Sequence, residues 1–284
     1  MERFRGKYRH EQKFLVDERD IALITARIRP LMEPDAFHPE GAYRIRSVYF
    51  DDWQDLALRQ NLSGVSPRSK FRIRIYNESM DAIHLEQKIK SHDLTRKKSC
   101  PLTEAECLCL LRGRPVRLSG GDRPLLTLLQ TEMLLHRLLP KTIVEYERTA
   151  YTCKEGNVRV TFDRNLASSG YVLRFPDRAL PKRPVMAAGQ HIMEVKYDEF
   201  LPGFIRSALD TGKLERITFS KYVLCRSHAL SGARRGKPQV FPFLCAVRPR
   251  RPHFPSAWES GQGHWGRECR FAPYSSTFSS SFCT

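Results

Sequence analysis

Charged residues recur two apart in seven short strand-like segments, and that spacing constrains the fold more than any other feature. The series runs Arg9, Glu11, Lys13; Arg44, Arg46; Lys70, Arg72, Arg74; Glu86, Lys88, Lys90; Tyr146, Arg148; Arg159, Thr161, Asp163; and Glu194, Lys196. Successive side chains on a strand point to opposite faces, so each set shares one face. The residues between them are often apolar, as in Phe71, Ile73, Ile75 or Val158, Val160, Phe162. A charged face can simply look at water. Seven such faces built mostly from Arg and Lys, with few Ser, Thr, Asn or Gln, favour a sheet closed on itself, charged within and apolar beneath covering helices. The expectation is an α+β fold: an antiparallel β-barrel tunnel with helices packed outside. Crowded buried cations are costly, so such a lumen should hold an anion.

The net charge of +17 over 284 residues points the same way, toward nucleic acid, a membrane surface or a phosphate compound. No run of 18 apolar residues occurs, and the opening MERFRGKYRHEQ carries no apolar signal region, so the expected location is cytoplasmic. Eight cysteines without a CxxC pair read as reduced, structural thiols.

Strands are expected at 7–16, 43–50, 70–77, 83–90, 142–152, 157–164 and 191–197, with a short one near 217–225. Helices are expected from an Asp17 cap to about Met32, over 53–62, from the Thr103/Glu106 capping box to Gly113, from Pro124 to Pro140, and from Pro202 to Gly212. The domain reading is a tunnel domain over 1–228 and a basic Pro/Gly/Ser-rich tail over 229–284, where eight Lys/Arg face two Glu and apolar periodicity stops. The tail's Gly261-Gln-Gly263-His-Trp-Gly266 has no strand before it and no helix after it, which removes it as a dinucleotide site. The absence of GxxxxGK[ST] removes P-loop chemistry.

A chain of phosphates would engage Arg and Lys from every strand, and a divalent ion bridging its oxygens would need only one or two carboxylates. In that setting the ordered segments EQKF, YRIRSVYFDD, KFRIRIY, HLEQKIK, VEYERTAY, VRVTFD, IMEVKYDEFLPGFI and FSKYV resemble the VTC (vacuolar transporter chaperone) polyphosphate polymerase domain of the triphosphate tunnel superfamily. The resemblance spans residue 7 to about 226. It implies transfer of the terminal phosphoryl group of ATP onto inorganic polyphosphate with Mn²⁺ or Mg²⁺. Carried over, Arg72 and Arg74 match the family's RxR pair, Lys88 its ExK lysine, Lys13 a phosphate ligand, and Arg59 a basic residue near the nucleotide. Lys97 matches approximately, with Arg96 or Lys98 as alternatives. Tyr146 and Arg148 match its YxR, Glu194 its metal-binding Glu, and Ser220 with Lys221 its SK pair. Arg46, Arg159 and Lys196, from the charged series, are expected to bind substrate beside them.

Two departures stand out. Thr218 occupies a usually basic position, with Arg216 as a substitute. The ExExK of the superfamily's hydrolases and cyclases reads Arg9-x-Glu11-x-Lys13, one carboxylate short, which argues against a two-metal hydrolase. The expected assignment is Arg72, Arg74, Lys88 and Lys221 as catalytic groups and Glu194 on the metal. ATP and polyphosphate are the partners, nucleic acid is not, and a membrane partner for product export is left open. The rival readings are a non-catalytic polyphosphate sensor, a tunnel triphosphatase and a nucleic-acid-binding protein.

Overall fold

A computed structural model describes residues 8–35, 41–117 and 122–233. Its strands are β1 (Arg9–Val16), β2 (Glu33–Pro34), β3 (Tyr43–Asp51), β4 (Arg68–Tyr76), β5 (Ser79–Ser91), β6 (Leu94–Leu102), β7 (Leu139–Cys153), β8 (Val158–Ser169), β9 (Arg183–Pro184) and β10 (His191–Tyr197). The helices are α1 (Glu18–Ile28), α2 (Leu56–Leu62), α3 (Glu104–Leu111), α4 (Pro124–His136), α5 (Gly203–Leu209) and α6 (Lys221–Ala233).

The strands pair in the order β7-β3-β4-β5-β6-β1-β10-β8, and β8 returns to β7, so eight antiparallel strands form a closed ring. Short β2 and β9 flank β7 and β8. The β4–β5 connection turns through Asn77 and Glu78, both at positive φ, as a two-residue hairpin matched to strand twist demands.

Register decides which face is inside. Lys13 pairs with Glu194, Glu11 with Lys196, Arg72 with Glu86, Arg74 with Ser47, and Arg148 with Asp163, so these side chains share the inner face. The intervening apolar residues face outward. Val48, Phe71, Ile73, Ile75 and Leu85 form one buried cluster beneath α3 and α4. Val16, Val160, Phe162, Met193 and Val195 form a second with α1 and α5. Asp17 caps α1 and Thr103 caps α3, each in a reciprocal capping box that satisfies two orphan amides.

Three local points differ from the sequence reading, one of them a strand that reading did not include. The segment 217–225 is not a strand: after an isolated bridge at Arg216, Ser220 accepts from the Val223 amide and α6 begins. Tyr222 and Cys225 are buried against Val144, Tyr146 and Leu166, so the apolar run reflects packing on more than one side rather than strand alternation. Leu94–Leu102, whose TRKKS stretch carries no apolar alternation, is a full strand that completes the ring between β5 and β1.

The third correction concerns β3. Arg44 and Arg46 lie opposite Glu147 and Glu145, whereas Ser47 and Tyr49, opposite Arg74 and Arg72, face the lumen. The β3 arginines therefore point outward. α6 continues to Ala233, and residues 234–284, with the Gly261–Gly266 motif and most of the expected tail, lie outside the described residues. No described helix is long and apolar enough to cross a membrane.

Candidate functional site

The inward faces of β1, β4, β5, β7 and β10 and the first turn of α6 converge on one narrow lumen. Lys13, Lys70, Arg72, Arg74, Lys88, Arg148, Lys196 and Lys221 line it with Tyr49, Tyr146, Ser220, Tyr222 and Glu194. Three more carboxylates, Glu11, Glu86 and Asp163, bond those cations from the same face. Eight basic side chains thus meet four carboxylates in a buried space.

Each cation is folded onto a partner. Arg72 donates to Glu86 at 2.7 Å and to the Tyr49 hydroxyl at 2.8 Å. Arg74 donates to Ser47 Oγ at 3.1 Å and to the Tyr146 hydroxyl at 3.3 Å. Lys88 bonds both Glu11 oxygens at 2.9 Å. Lys13 donates to the Phe219 carbonyl at 2.7 Å and lies 3.0 Å from Glu11 and 3.9 Å from Glu194. Arg148 makes a bidentate pair with Asp163 at 2.6 and 2.7 Å, the geometry its planar fork favours.

Glu194 is the hub. Lys221 approaches one of its oxygens to 2.7 Å, while Lys196 at 3.2 Å and Arg148 at 3.6 Å approach the other. Burial alone would raise its carboxyl, but Lys221, Lys196, Lys13 and Arg148 hold it well below the usual range. Burial likewise opposes the charge on Lys221, and Asp163 at 2.5 Å with Glu194 outweighs it, so this ammonium titrates above an ordinary lysine.

Lys70 and Lys88 behave oppositely. Burial and the neighbouring cations Lys88, Lys13 and Arg72 push Lys70 well down; it donates to Ser220 Oγ at 3.0 Å, and no described carboxylate forms an ion pair with it. Burial, only partly offset by Glu11, lowers Lys88 to about 7. Lys88 can therefore take up a proton when an anion arrives.

Among the residues expected from sequence, Lys13, Arg72, Arg74, Lys88, Tyr146, Arg148, Glu194, Lys196, Ser220 and Lys221 are brought together. Four are not. Arg46 is buried outside the ring, where it bonds Glu145, Glu78 and the Phe175 and Asp177 carbonyls, clamping the 175–177 loop to the barrel. Arg59 is exposed on α2 and bonds Gln54. Lys97 is exposed and reaches in only to Glu86, at 2.8 Å. Arg159 shares the inner face, opposite Lys196 in register, but it bonds Asp35 and the Tyr43 hydroxyl and does not line the narrow lumen.

Lys70, Tyr49, Asp163, Glu86 and Tyr222 were not singled out from sequence as site residues. Lys70, Glu86 and Asp163 carry the same two-residue signal as their neighbours. Tyr49 shares a face with Ser47, whereas Tyr222 sits in the misread segment.

The donor set suits a hard cation. Glu194 and Glu11 both converge on Lys13 Nζ, offer oxygen only, and no described group of three or more His, Cys, Asp or Glu is arranged to hold an ion. Protein ligands alone do not complete a site. An ion here would draw most of its oxygens from phosphates and water, the habit of Mg²⁺ and Mn²⁺. The described cysteines are free thiols, and burial raises Cys107 to about 12.

Comparison with curated proteins returned no match. Among solved structures, a presumed adenylate cyclase from Vibrio parahaemolyticus is similar at 12% identity and TM-score 0.43, covering 78% of this chain and 98% of that one. A second presumed adenylate cyclase, from Bacillus halodurans, gives 13% identity and TM-score 0.39, covering 67% and 80%. The Mimivirus capping enzyme triphosphatase gives 10% identity and TM-score 0.32, covering 72% and 88%. All three are distant likenesses. The sequence profile of the VTC domain, by contrast, matches residues 8–229, which include every strand of the ring and the lysine at the start of α6. The chain belongs to the VTC domain family, and is a tunnel-type protein built to handle phosphoryl groups.

Proposed function

We propose that this chain is a polyphosphate polymerase, transferring the terminal phosphoryl group of ATP to the end of an inorganic polyphosphate chain. The observation that carries the reading is the convergence of cations from five strands and α6 on one enclosed lumen with Glu194 at its centre. A single phosphate uses two or three such groups; a string of them uses all eight.

In the reaction, an ionised terminal oxygen of the acceptor chain attacks the γ-phosphorus. The bond to the β,γ-bridging oxygen breaks, and ADP leaves with that electron pair. The acceptor is already deprotonated, so no general base is needed, and the protein's task is alignment and charge neutralisation. Arg72, Arg74 and Lys88 grip the transferring phosphates, giving up Glu86, Ser47 and Glu11 as partners. Lys13, Arg148 and Lys196 hold the flanking units, and Lys221 neutralises one end. Glu194, with Glu11 beside it, would hold Mn²⁺ or Mg²⁺, which would supply further charge neutralisation.

The alternative of a two-metal triphosphatase is disfavoured by β1. Arg9 stands where a second carboxylate would be needed, and it is engaged with Asp198 and the Asn157 carbonyl. Incubation with ATP and Mn²⁺, read by a polyphosphate stain and by phosphate release, separates the cases. Chain growth supports the polymerase. Phosphate release from tripolyphosphate without growth marks a hydrolase, and tight polyphosphate binding without turnover marks a sensor.

A further inference from the structure

A second cavity, of about 890 Å³, opens beside the lumen and shares Lys13, Lys70, Lys88 and Ser220 with it. Its cationic floor adds Arg68 and Lys90 to those lysines. The opposite wall comes from the 185–187 loop, the 216–219 segment and one face of α6. Val185, Met186, Ile217, Phe219, Val223 and Leu224 present apolar surface there. Except for buried Ile217, these side chains are only partly covered, packing by one side against the cluster around Tyr222.

We propose that this chamber binds the aliphatic part of a phosphate ester whose phosphate or diphosphate group enters the cationic lumen. An inorganic phosphate chain gains nothing from an apolar wall, whereas a hydrocarbon group desolvates it. The wall is aliphatic in character: Phe219 is the one Phe, Tyr or Trp among the described lining residues, so a flat base finds little to stack on. Cavities of this size with an apolar lining and a few convergent charges are typical small-molecule sites. The floor supplies the charge complement, since its amines lie at the shared boundary with the lumen. The inference concerns binding alone and does not depend on turnover.

The test uses the full chain and calorimetric titration with inorganic pyrophosphate, geranyl diphosphate and adenosine diphosphate. Geranyl diphosphate should bind about 10-fold or more tighter than pyrophosphate, a modest share of what burying ten carbons offers. Val223→Ser on α6 and Met186→Ser in the loop should each remove most of that gain and leave pyrophosphate affinity unchanged. The loop variant keeps the test valid if the helix variant fails to fold. Pyrophosphate binding with no gain from the geranyl group overturns the chamber assignment and leaves the lumen reading standing. A larger gain for adenosine diphosphate than for geranyl diphosphate also overturns it, in favour of a nucleoside. Failure of all three ligands removes the phosphate-binding lumen as well.

Discussion

Lys221 Nζ lies 2.7 Å from Glu194 Oε1, so the first residue of α6 and the middle of β10 close an ion pair inside the ring. Glu194→Ala releases Lys221 and Lys196 from that carboxylate while Asp163 keeps hold of Lys221. ATP-to-polyphosphate turnover should fall by about 10²-fold or more, the scale of one preorganised electrostatic contact. A wild-type rate in a variant shown by thermal melting to be folded would refute the assignment.

Arg74 and Arg46 test the two faces of the ring. Arg74→Ala should cost about 10² in turnover. Arg46→Ala leaves Glu145 buried with Lys182 and removes the clamp on the Phe175 and Asp177 carbonyls, so it should cost about 3–5 kcal/mol of stability. Turnover per folded molecule should stay unchanged. Denaturant melts and rates measured on the same samples decide the matter; loss of rate in stable Arg46→Ala would put Arg46 back among the substrate ligands.

Anion binding should take up protons. Lys88, at about 7 in the free lumen, is largely neutral at pH 8 and becomes charged against a phosphate; burial and neighbouring cations depress Lys70 in the same direction. More protons are then bound in the complex than in the free protein, so affinity falls as pH rises above 7, by up to about 10-fold per pH unit for each amine involved. Titration of tripolyphosphate at pH 8 in buffers of different ionisation enthalpy measures the uptake. An enthalpy independent of buffer would contradict a neutral Lys88.

Acid should act through the carboxylates. Burial works against the charge on Glu86, but Arg72, Arg74 and Lys97 hold it well below its usual value of 4.5, and Glu194 is depressed likewise. A depressed carboxyl stabilises the fold fully above the unfolded value and loses that contribution as pH falls through the native one. Melting temperature should therefore hold down to pH about 4.5 and drop below it, and a decline already complete at pH 6 would argue against these pairs.

Removing divalent ions should abolish chain growth while leaving most tripolyphosphate binding, because eight cations remain. Chelation followed by Mn²⁺ or Mg²⁺ readdition checks both properties. Undiminished growth in chelator would exclude the ion from the proposed reaction.

Much of the tunnel was legible from the two-residue charge spacing, because in β4, β5 and β10 one phase is charged and the other apolar. Arg72, Arg74, Lys88 and Glu194 follow from that rule alone. In β3 the rule is ambiguous: Arg44 and Arg46 share their phase with Val48 and Phe50, while Tyr43, Ile45, Ser47 and Tyr49 occupy the other. The outer ion pair with Glu145, from a strand nearly a hundred residues away, decides the face, and local pattern does not contain it. In β6 the apolar phase is broken by Arg96 and Lys98 and survives only in Leu94, Cys100 and Leu102, and α6, buried on several sides, lacked the amphipathic period that marks a surface helix. Arg59 and Lys97 came from motif position, which fixes a place along the chain and not the direction of a long, exposed side chain.

Because β8 pairs back to β7, the eight-membered ring is closed, and its bore is set by strand number and stagger. At eight strands that bore is about as wide as its own side chains. On the proposed function, an unbranched anion would enter single file by trading places with carboxylates, whereas a polymer bearing a sugar and base on every phosphate would meet the wall. The calibre of the barrel would then favour linear phosphate strings before any individual arginine made contact.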